Sequence, residues 1–278
     1  MKLISFTVLS LFTSLCLFSQ STYIPLNDFS YHMIDRYEIR GNALYSNIHT
    51  AVKPYPRQQV AKNILSADSS TLSKKDKFNL SYLKNDSWEW VLDSSQQNNS
   101  NQACFKTFYK NKADLLYYKD KSFDLHINPV IYFGAGKERN ADQIFINSRG
   151  VELRGMIDNK VGFYSILTDN QFFFPSHVNA RINKYGAVPD ANFFKNFKDG
   201  GYDFFNARGY ITFDFTKHIS TQFGYDKNSF GDGYRSLINS DYAGANTFWK
   251  INLNVWKLNY QVIYNFMNTG QTTNPIYQ

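Results

Sequence analysis

Beyond Ala103, apolar and polar residues alternate with a period of two. Trp249, Ile251, Leu253 and Val255 alternate with Lys250, Asn252 and Asn254, and Leu258, Tyr260, Val262, Tyr264 and Phe266 with Asn259, Gln261 and Asn265. Ile211, Phe213 and Phe215 share one face, as do Phe123, Leu125, Ile127, Ile131 and Phe133, opposite Asp124, His126 and Asn128. Val151 and Leu153 oppose Glu152 and Arg154. This pattern predicts β-strands with one apolar and one polar face. Residues 21–102 read differently, as two or three short helices. One starts at Asn27 or Asp28 and stops at Gly41. A second has Pro56 in its first turn and Val60, Ile64 and Leu65 on one face; a third offers Leu72, Phe78, Leu80, Leu83 and Leu92. SQQNNSNQ, at 95–102, is a polar linker.

A soluble sandwich also alternates, with its apolar face turned to a core. Three features point instead to an antiparallel transmembrane barrel of the outer-membrane type. The strands approach the ~9–11 residues that cross a bilayer. Aromatics gather near strand ends, at Phe172–Phe174, Phe204–Phe205, Trp249 and Trp256, as in interfacial girdles. Connections alternate between tight (KDKS, DNK, TK and the Trp256–Lys257 corner) and long (134–143, 174–204 and 226–246). If residues 104–109 form the first rising strand and 113–119 the second, every tight turn falls on the periplasmic side with the helical segment. Every long loop then falls outside. The scheme yields about nine strands, whereas single-chain bacterial barrels have an even number and close on themselves. The division expected is therefore 1–20 as a signal peptide, 21–102 as a periplasmic helical segment and linker, and 103–278 as the N-terminal part of a larger barrel.

Composition refines this picture. Tyr (20) and Phe (25) far outnumber Trp (4), yet mean hydropathy is negative, which suits apolar residues spaced singly along strands. Lys2 followed by the apolar run Leu3–Phe18 and then Ser19 and Ser21 reads as a secretory signal cut near Ser19 or Gln20. Acylation at Cys16 would need a smaller residue than Leu15 before it. Cleavage removes Lys2, lowering the formal charge from +7 to +6, and removes Cys16; Cys104 is then left without an intramolecular disulfide partner. No mature segment is an uninterrupted apolar run of ~18 residues, so no spanning helix is expected. The scattered basic excess lacks the Lys/Arg–aromatic interleaving of nucleic-acid binders.

The candidate chemistry lies in FGYDKNSFGDGYRSLINSDYAGANTFW, residues 223–249, a polar, glycine-punctuated stretch between two alternating segments. A calcium loop would match Asp226, Asn228 and Gly231 but fails at Phe230 and Leu237, where ligands belong. A phosphate loop needs Gly-Lys-Ser/Thr before a helix; here Gly-Asp-Gly-Tyr precedes Arg235. Asp226, Asp232 and Asp241 are the pool for a glycosidase acid pair, although loop aspartates are mostly turn formers. The five histidines lack metal-ligand spacing, and no G-x-S-x-G marks a nucleophile. No enzymatic activity, cofactor or metal is expected.

The segment QFGYDKNSFGDGYRSLINSDYAG, followed by FWKINLNVWKLNYQ, resembles the Wzi family of outer-membrane capsule-assembly proteins, and the RemB-like gliding-motility-associated variants most. YIPLNDFSYHMIDRYEI and KPYPRQQVA are similar to that family's opening helices. The G-D-G-Y-R-S-L-x-x-S-D core at 231–241 is the most specific part. The resemblance implies a non-catalytic barrel with a periplasmic helical bundle, in contact with membrane lipid, capsular or other surface polysaccharide, and motility or export proteins. Candidate polysaccharide-binding residues are Asp226, Lys227, Asp232, Tyr234, Arg235, Ser236, Asp241 and Tyr242. The tyrosines offer stacking faces, the aspartates acceptors, and Arg235 a bidentate grip on a uronic acid. An alternative keeps Arg235 structural, bridging Asp232 or Asp241 inside the lumen. Three further functions stay open: part of a gliding or adhesion apparatus, a diffusion channel through the polar lumen, and a surface enzyme acting on lipid or glycan through Asp226, Asp232, Asp241 or Ser236.

Overall fold

The computed structural model describes residues 21–41, 45, 48–66, 72–91, 99–100, 107–139, 143–233, 236, 238–239, 243–256 and 258–267. The expected signal peptide, Cys104 and the first half of the first expected strand, most of the linker, and the C-terminal residues from Asn268 lie outside these residues; the described 107–109 form no strand, and the second expected strand, 113–119, is strand only from Leu116.

The helical segment contains α1 (Ser30–Gly41), β1 (Val52–Lys53), α2 (Arg57–Ser66), α3 (Lys74–Asp86) and the single turn α4 (Trp88–Val91). Each of the two longest helices begins where a side chain caps it. Asp28 Oδ1 accepts from the Ser30 N–H (2.7 Å), and Ser73 Oγ accepts from the Asp76 N–H (3.2 Å). Tyr31, Ile34 and Tyr37 of α1 pack against Val60 and Ile64 of α2 and Leu80 and Leu83 of α3, with Ile24 and Tyr55 between them. Two expected core positions turn outward: Leu65 and Phe78 are exposed. The buried stripe of α3 runs instead through Asp76, whose carboxylate is held by Arg36 (2.7 Å), Arg40 and Ser73 Oγ (2.6 Å). The hydrogen bonds from Arg36 and Ser73, with the two arginine charges, hold that carboxyl well below the usual range.

After β2 (Leu116–Lys119), the chain folds into long antiparallel hairpins: β3 (Phe123–Lys137), β4 (Gln143–Ile157) and β5 (Val161–Phe173). The β4–β5 turn places Asp158 and Asn159 at positive φ (52° and 54°), the paired left-handed geometry that two-residue hairpins favour. Next come α5 (Ser176–Tyr185), β6 (Lys195–Phe197), β7 (Gly201–Thr216), β8 (Ile219–Asp226), β9 (Ser229–Phe230), β10 (Asn246–Val255) and β11 (Leu258–Phe266). The sheet runs β11-β10-β8-β7-β5-β4-β3-β2, with β6 added alongside β7. Among the described residues it is an open antiparallel sheet edged by β2 and β11.

The tight turns fall where the alternation placed them, but the long connections differ. Within 134–143, residues 134–137 and 143 are strand, since the β3–β4 ladder continues to Lys137↔Gln143. Residues 174–204 contain α5 and β6, and 226–246 contain β9.

The two faces of the sheet are inverted relative to a soluble protein. The polar face is the buried one: His126, Arg154, Tyr164 and Tyr210 form one cross-strand row that continues through Gly224 to Phe248. The apolar face is the open one, with Ile131 79% and Phe133 72% exposed. The helical segment covers the polar face along its length. Tyr23 packs edge-on to Tyr210 (5.8 Å between ring centres), and its N–H donates to the Tyr210 hydroxyl (2.8 Å). Gly224 is required here, because a Cβ would sit 2.5 Å from Tyr210 Cα. At the opposite, long-loop end, β1 pairs with β9 (Val52↔Phe230, Lys53↔Ser229), and the Gly231 N–H donates to Ala51 O (2.7 Å). The expected separation of helical segment and polar loop onto opposite ends therefore does not hold: they share a two-stranded ribbon.

Candidate functional site

Of the candidate residues, Tyr234, Arg235, Asp241 and Tyr242 lie outside the described residues. The other four are placed, and their roles differ. Asp226 ends β8 and turns inward, accepting from Arg208 Nη1 (3.2 Å) and the Lys227 N–H (2.8 Å). Lys227 is buried and pairs with Asp190 of the loop after α5. Burial pushes its ammonium down, and Asp190 opposes that. Ser236 Oγ accepts from the backbone N–H groups of Phe230 (3.4 Å), Ile238 (3.3 Å) and Asn239 (3.2 Å), the work of a turn former. Asp232 is exposed and faces a cavity.

That cavity, of about 750 Å³, lies at the long-loop end. Four segments distant in sequence build its walls. The helical segment contributes Asp28, Tyr31, His32, Asp35 and Lys53; the sheet, Tyr132, Ile146 and Phe172; the loop around α5, Phe174, Val178 and Asp190; and the polar stretch, Lys227, Ser229 and Asp232. Its volume falls within the roughly 300–1,000 Å³ of small-ligand sites. The polar stretch is fixed in place by β9–β1 pairing, by Lys227–Asp190, and by Asn192, whose Nδ2 donates to Ala245 O (2.7 Å) and to the Tyr225 hydroxyl. Asp28, His32 and Asp35 were missed as site residues. Their i, i+4, i+7 spacing from the cap into α1 was visible, but nothing local showed that this stripe meets a loop some 200 residues away.

A second polar cluster lies under the helical segment at the short-turn end. Asp114 accepts from Trp88 Nε1 (3.0 Å), Asn111 Nδ2 (3.0 Å) and Asn128 Nδ2 (3.2 Å), and lies 2.8 Å from His126 Nδ1. His126 Nε2 is 2.8 Å from Asp124 Oδ1, though out of hydrogen-bond alignment. Burial alone would raise the Asp114 carboxyl; the His126 hydrogen bond and charge, with Arg154, reverse this and hold it well below its ordinary range. Arg154 bonds Glu89 of α4 and Asp86 O (3.2 Å). A histidine between two carboxylates suits proton transfer, and at 1% exposure His126 is closed off from the surface by its partners. Asp86, Trp88 and Glu89 belong to the helical segment and the remaining partners to the sheet and its leading loop, so the cluster is a buried latch between them.

Compared with known proteins, the chain matches no family model, no curated protein and no solved structure.

Proposed function

We propose that this chain is part of an outer-membrane β-barrel, plugged by its own helical segment, that binds surface polysaccharide and helps assemble or retain a capsule. The observation that carries the membrane reading is the inverted sheet. Across β3, β4, β5 and β7, the outward rows from Phe123–Ile157–Val161–Phe213 up to Pro129–Val151–Leu167–Ala207 contain no charged residue. The next row, Ile131–Arg149–Asp169–Phe205, holds the exposed Arg149–Asp169 pair (2.9 Å), and Asn147, Gln171 and Asp203 follow above it. At roughly 3.4 Å per residue and a tilt near 40°, the charge-free rows from Phe123 to Pro129 rise about 16 Å and the first charged row lies about 21 Å up, against the ~25 Å apolar band of such barrels. The long-loop cavity thus falls beyond the apolar band on the side expected to face outward.

The buried latch and the Tyr23–Tyr210 packing favour a plug over a diffusion channel, because an open lumen would leave the polar inner face to water. The resemblance of residues 231–241 and the opening helices to Wzi-like proteins supports the capsule assignment, and its RemB-like side keeps a gliding or adhesion role as the second reading. The test is fractionation followed by phenotype. The protein is expected in the outer-membrane fraction, extractable only with detergent and running at a different apparent size before and after boiling. A deletion strain is expected to shed capsule. Recovery in a soluble fraction would refute the membrane reading; a spreading defect with normal capsule retention would replace capsule assembly by motility.

A further inference from the structure

The stretch from Ser176 to Gly200 forms a rim of the cavity, which it lines through Val178, Pro189 and Asp190. It carries four Lys and Arg against two Asp, and α5 itself has no acidic residue. Asp190 is taken by Lys227, and Lys195 lies 3.8 Å from Asp203. Arg181, Lys184 and Lys198 are then set against Asp199 alone, and all three are exposed. Each lies over an aromatic ring. Arg181 Cζ is 5.5 Å and Lys184 Nζ 5.1 Å from the centre of the Tyr185 ring, and Lys198 Nζ is 5.2 Å from that of Phe197. Two like charges thus converge on one ring that is 60% exposed, and neither takes part in an ion pair among the described residues. The ring attracts each cation, while their mutual repulsion falls when an anion comes between them. The helix dipole accounts for Lys184 in the last turn and leaves Arg181 and Lys198 without that reason.

The platform is firmly seated. Glu138 accepts from the Ser176 N–H (2.8 Å) and hydroxyl (2.6 Å) at the start of α5, and the Gly186 N–H closes its end on Ile182 O (2.7 Å). Val178 and Ile182 pack on Phe172 and Phe204, which share the inner face with Tyr164 and Tyr210. In the membrane reading, α5 therefore stands over the inner face, with its cations set apart from the lipid side. We propose that this rim grips an acidic glycan, a chain bearing carboxylate or phosphate groups, with the Tyr185 ring under the sugar and Arg181 and Lys184 on its anion. This rests on the glycan-binding reading above and narrows it. Arg181 offers the planar fork that such anions take bidentately, and an aromatic face suits the C–H side of a pyranose. An amino sugar would meet like charge, and an acidic peptide would use the cations without the ring.

The test uses the detergent-extracted full chain and three soluble probes of matched length: oligogalacturonate, its uncharged methyl ester, and oligoglutamate. The oligogalacturonate is expected to bind about tenfold tighter than the ester, and to lose that excess as salt is raised. In Arg181→Gln/Lys184→Gln, the excess is expected to vanish while ester binding stays. In Tyr185→Leu, both sugars are expected to weaken by a similar factor, with heat-modifiability confirming a folded sheet in each variant. Equal binding of acid and ester, or an excess that survives the double substitution, overturns the acidic grip. Oligoglutamate binding as tightly as the uronate overturns it in favour of an acidic protein partner. Surface polysaccharide extracted from the cells that make the protein separates this proposal from the reading it rests on. If it binds the parent and the double variant alike, glycan binding stands and this rim is not its site; if it binds neither, both fall.

Discussion

Arg154→Met is expected to release the helical segment from the sheet. Arg154 projects from the inner face of β4, and both it and Glu89 are 4% exposed at their side chains. Its guanidinium bonds Glu89, donates to Asp86 O (3.2 Å) and lies 3.6 Å from Asp114 Oδ1. Removing one partner of such a pair leaves the other charge buried. Glu89 is the more vulnerable because its Oε2 has no hydrogen-bond partner. Stranding a buried charge typically costs about 3–5 kcal/mol. At 1.4 kcal/mol per tenfold, that shifts the docking equilibrium by roughly 10²–10⁴. Hydrogen exchange in detergent reads this directly: amides of α3 and α4 are expected to exchange faster by that factor, while those of β4 and β5, held by their own ladder, change little. Arg154→Met/Glu89→Leu removes both charges and is expected to recover most of the protection, since apolar replacement of a whole buried pair is often neutral. Unchanged protection of α3 and α4 in Arg154→Met, or no recovery in the double variant, would refute the latch.

Two further expectations follow from other contacts. Val52→Cys/Phe230→Cys places thiols at register partners of the β1–β9 ribbon, where the ~4.5–5.5 Å Cα spacing of antiparallel pairs suits a disulfide, so mild oxidation is expected to crosslink loop to helical segment; no crosslink in folded protein would show that the ribbon is absent in the membrane. Asp76, whose folded carboxyl is held below its unfolded value of about 3.9, stabilises the helical segment above that value and loses the contribution as pH falls through the lowered one. Exchange of the α3 amides is therefore expected to rise from roughly pH 5 downward in the parent chain and to lose that slope in Asp76→Asn; an equal slope in both would remove Asp76 as the cause.

How much of this the sequence made legible depends on how local each cause is. Strand positions and tight turns were readable, because a period of two and turns such as Asp158–Asn159 are local signals. The β3–β4 extension was hidden by Gly134 and Gly136, which read as a loop. In the sheet they face Ile146 and Ile144, with room for ordinary contact. The helix α5 carried its own punctuation, Pro175 before it and Gly186 at φ 65° after it, yet its polar composition reads as loop. Phe78 outside and Asp76 inside follow from Arg36 and Arg40 of another helix, which no window on α3 contains. At the site, the polar stretch was visible as a feature, but Asp226 and Ser236 are satisfied within the fold and most of the cavity wall comes from the helical segment and the residues in and around α5.

The polar inner face explains why the helical segment and the site belong together. Buried Lys250 donates to Asn228 Oδ1 (3.0 Å) and lies 4.8 Å from the centre of the Tyr23 ring, and Gln222 and Thr212 beside it are equally buried. The segment closes over these groups, with Tyr23 stacked against Lys250, and its residues line the same cavity as the polar stretch. A ligand that spans both walls binds the docked form alone, so it stabilises docking by the same free energy by which docking favours binding. Releasing the latch at Arg154, far from the cavity, is therefore expected to weaken glycan binding through the lost docked population, and saturating ligand is expected to restore α3 and α4 protection in Arg154→Met. Full affinity in a variant whose helical segment exchanges freely would show that the cavity stands without its α1 wall, and that the plug and the site are independent.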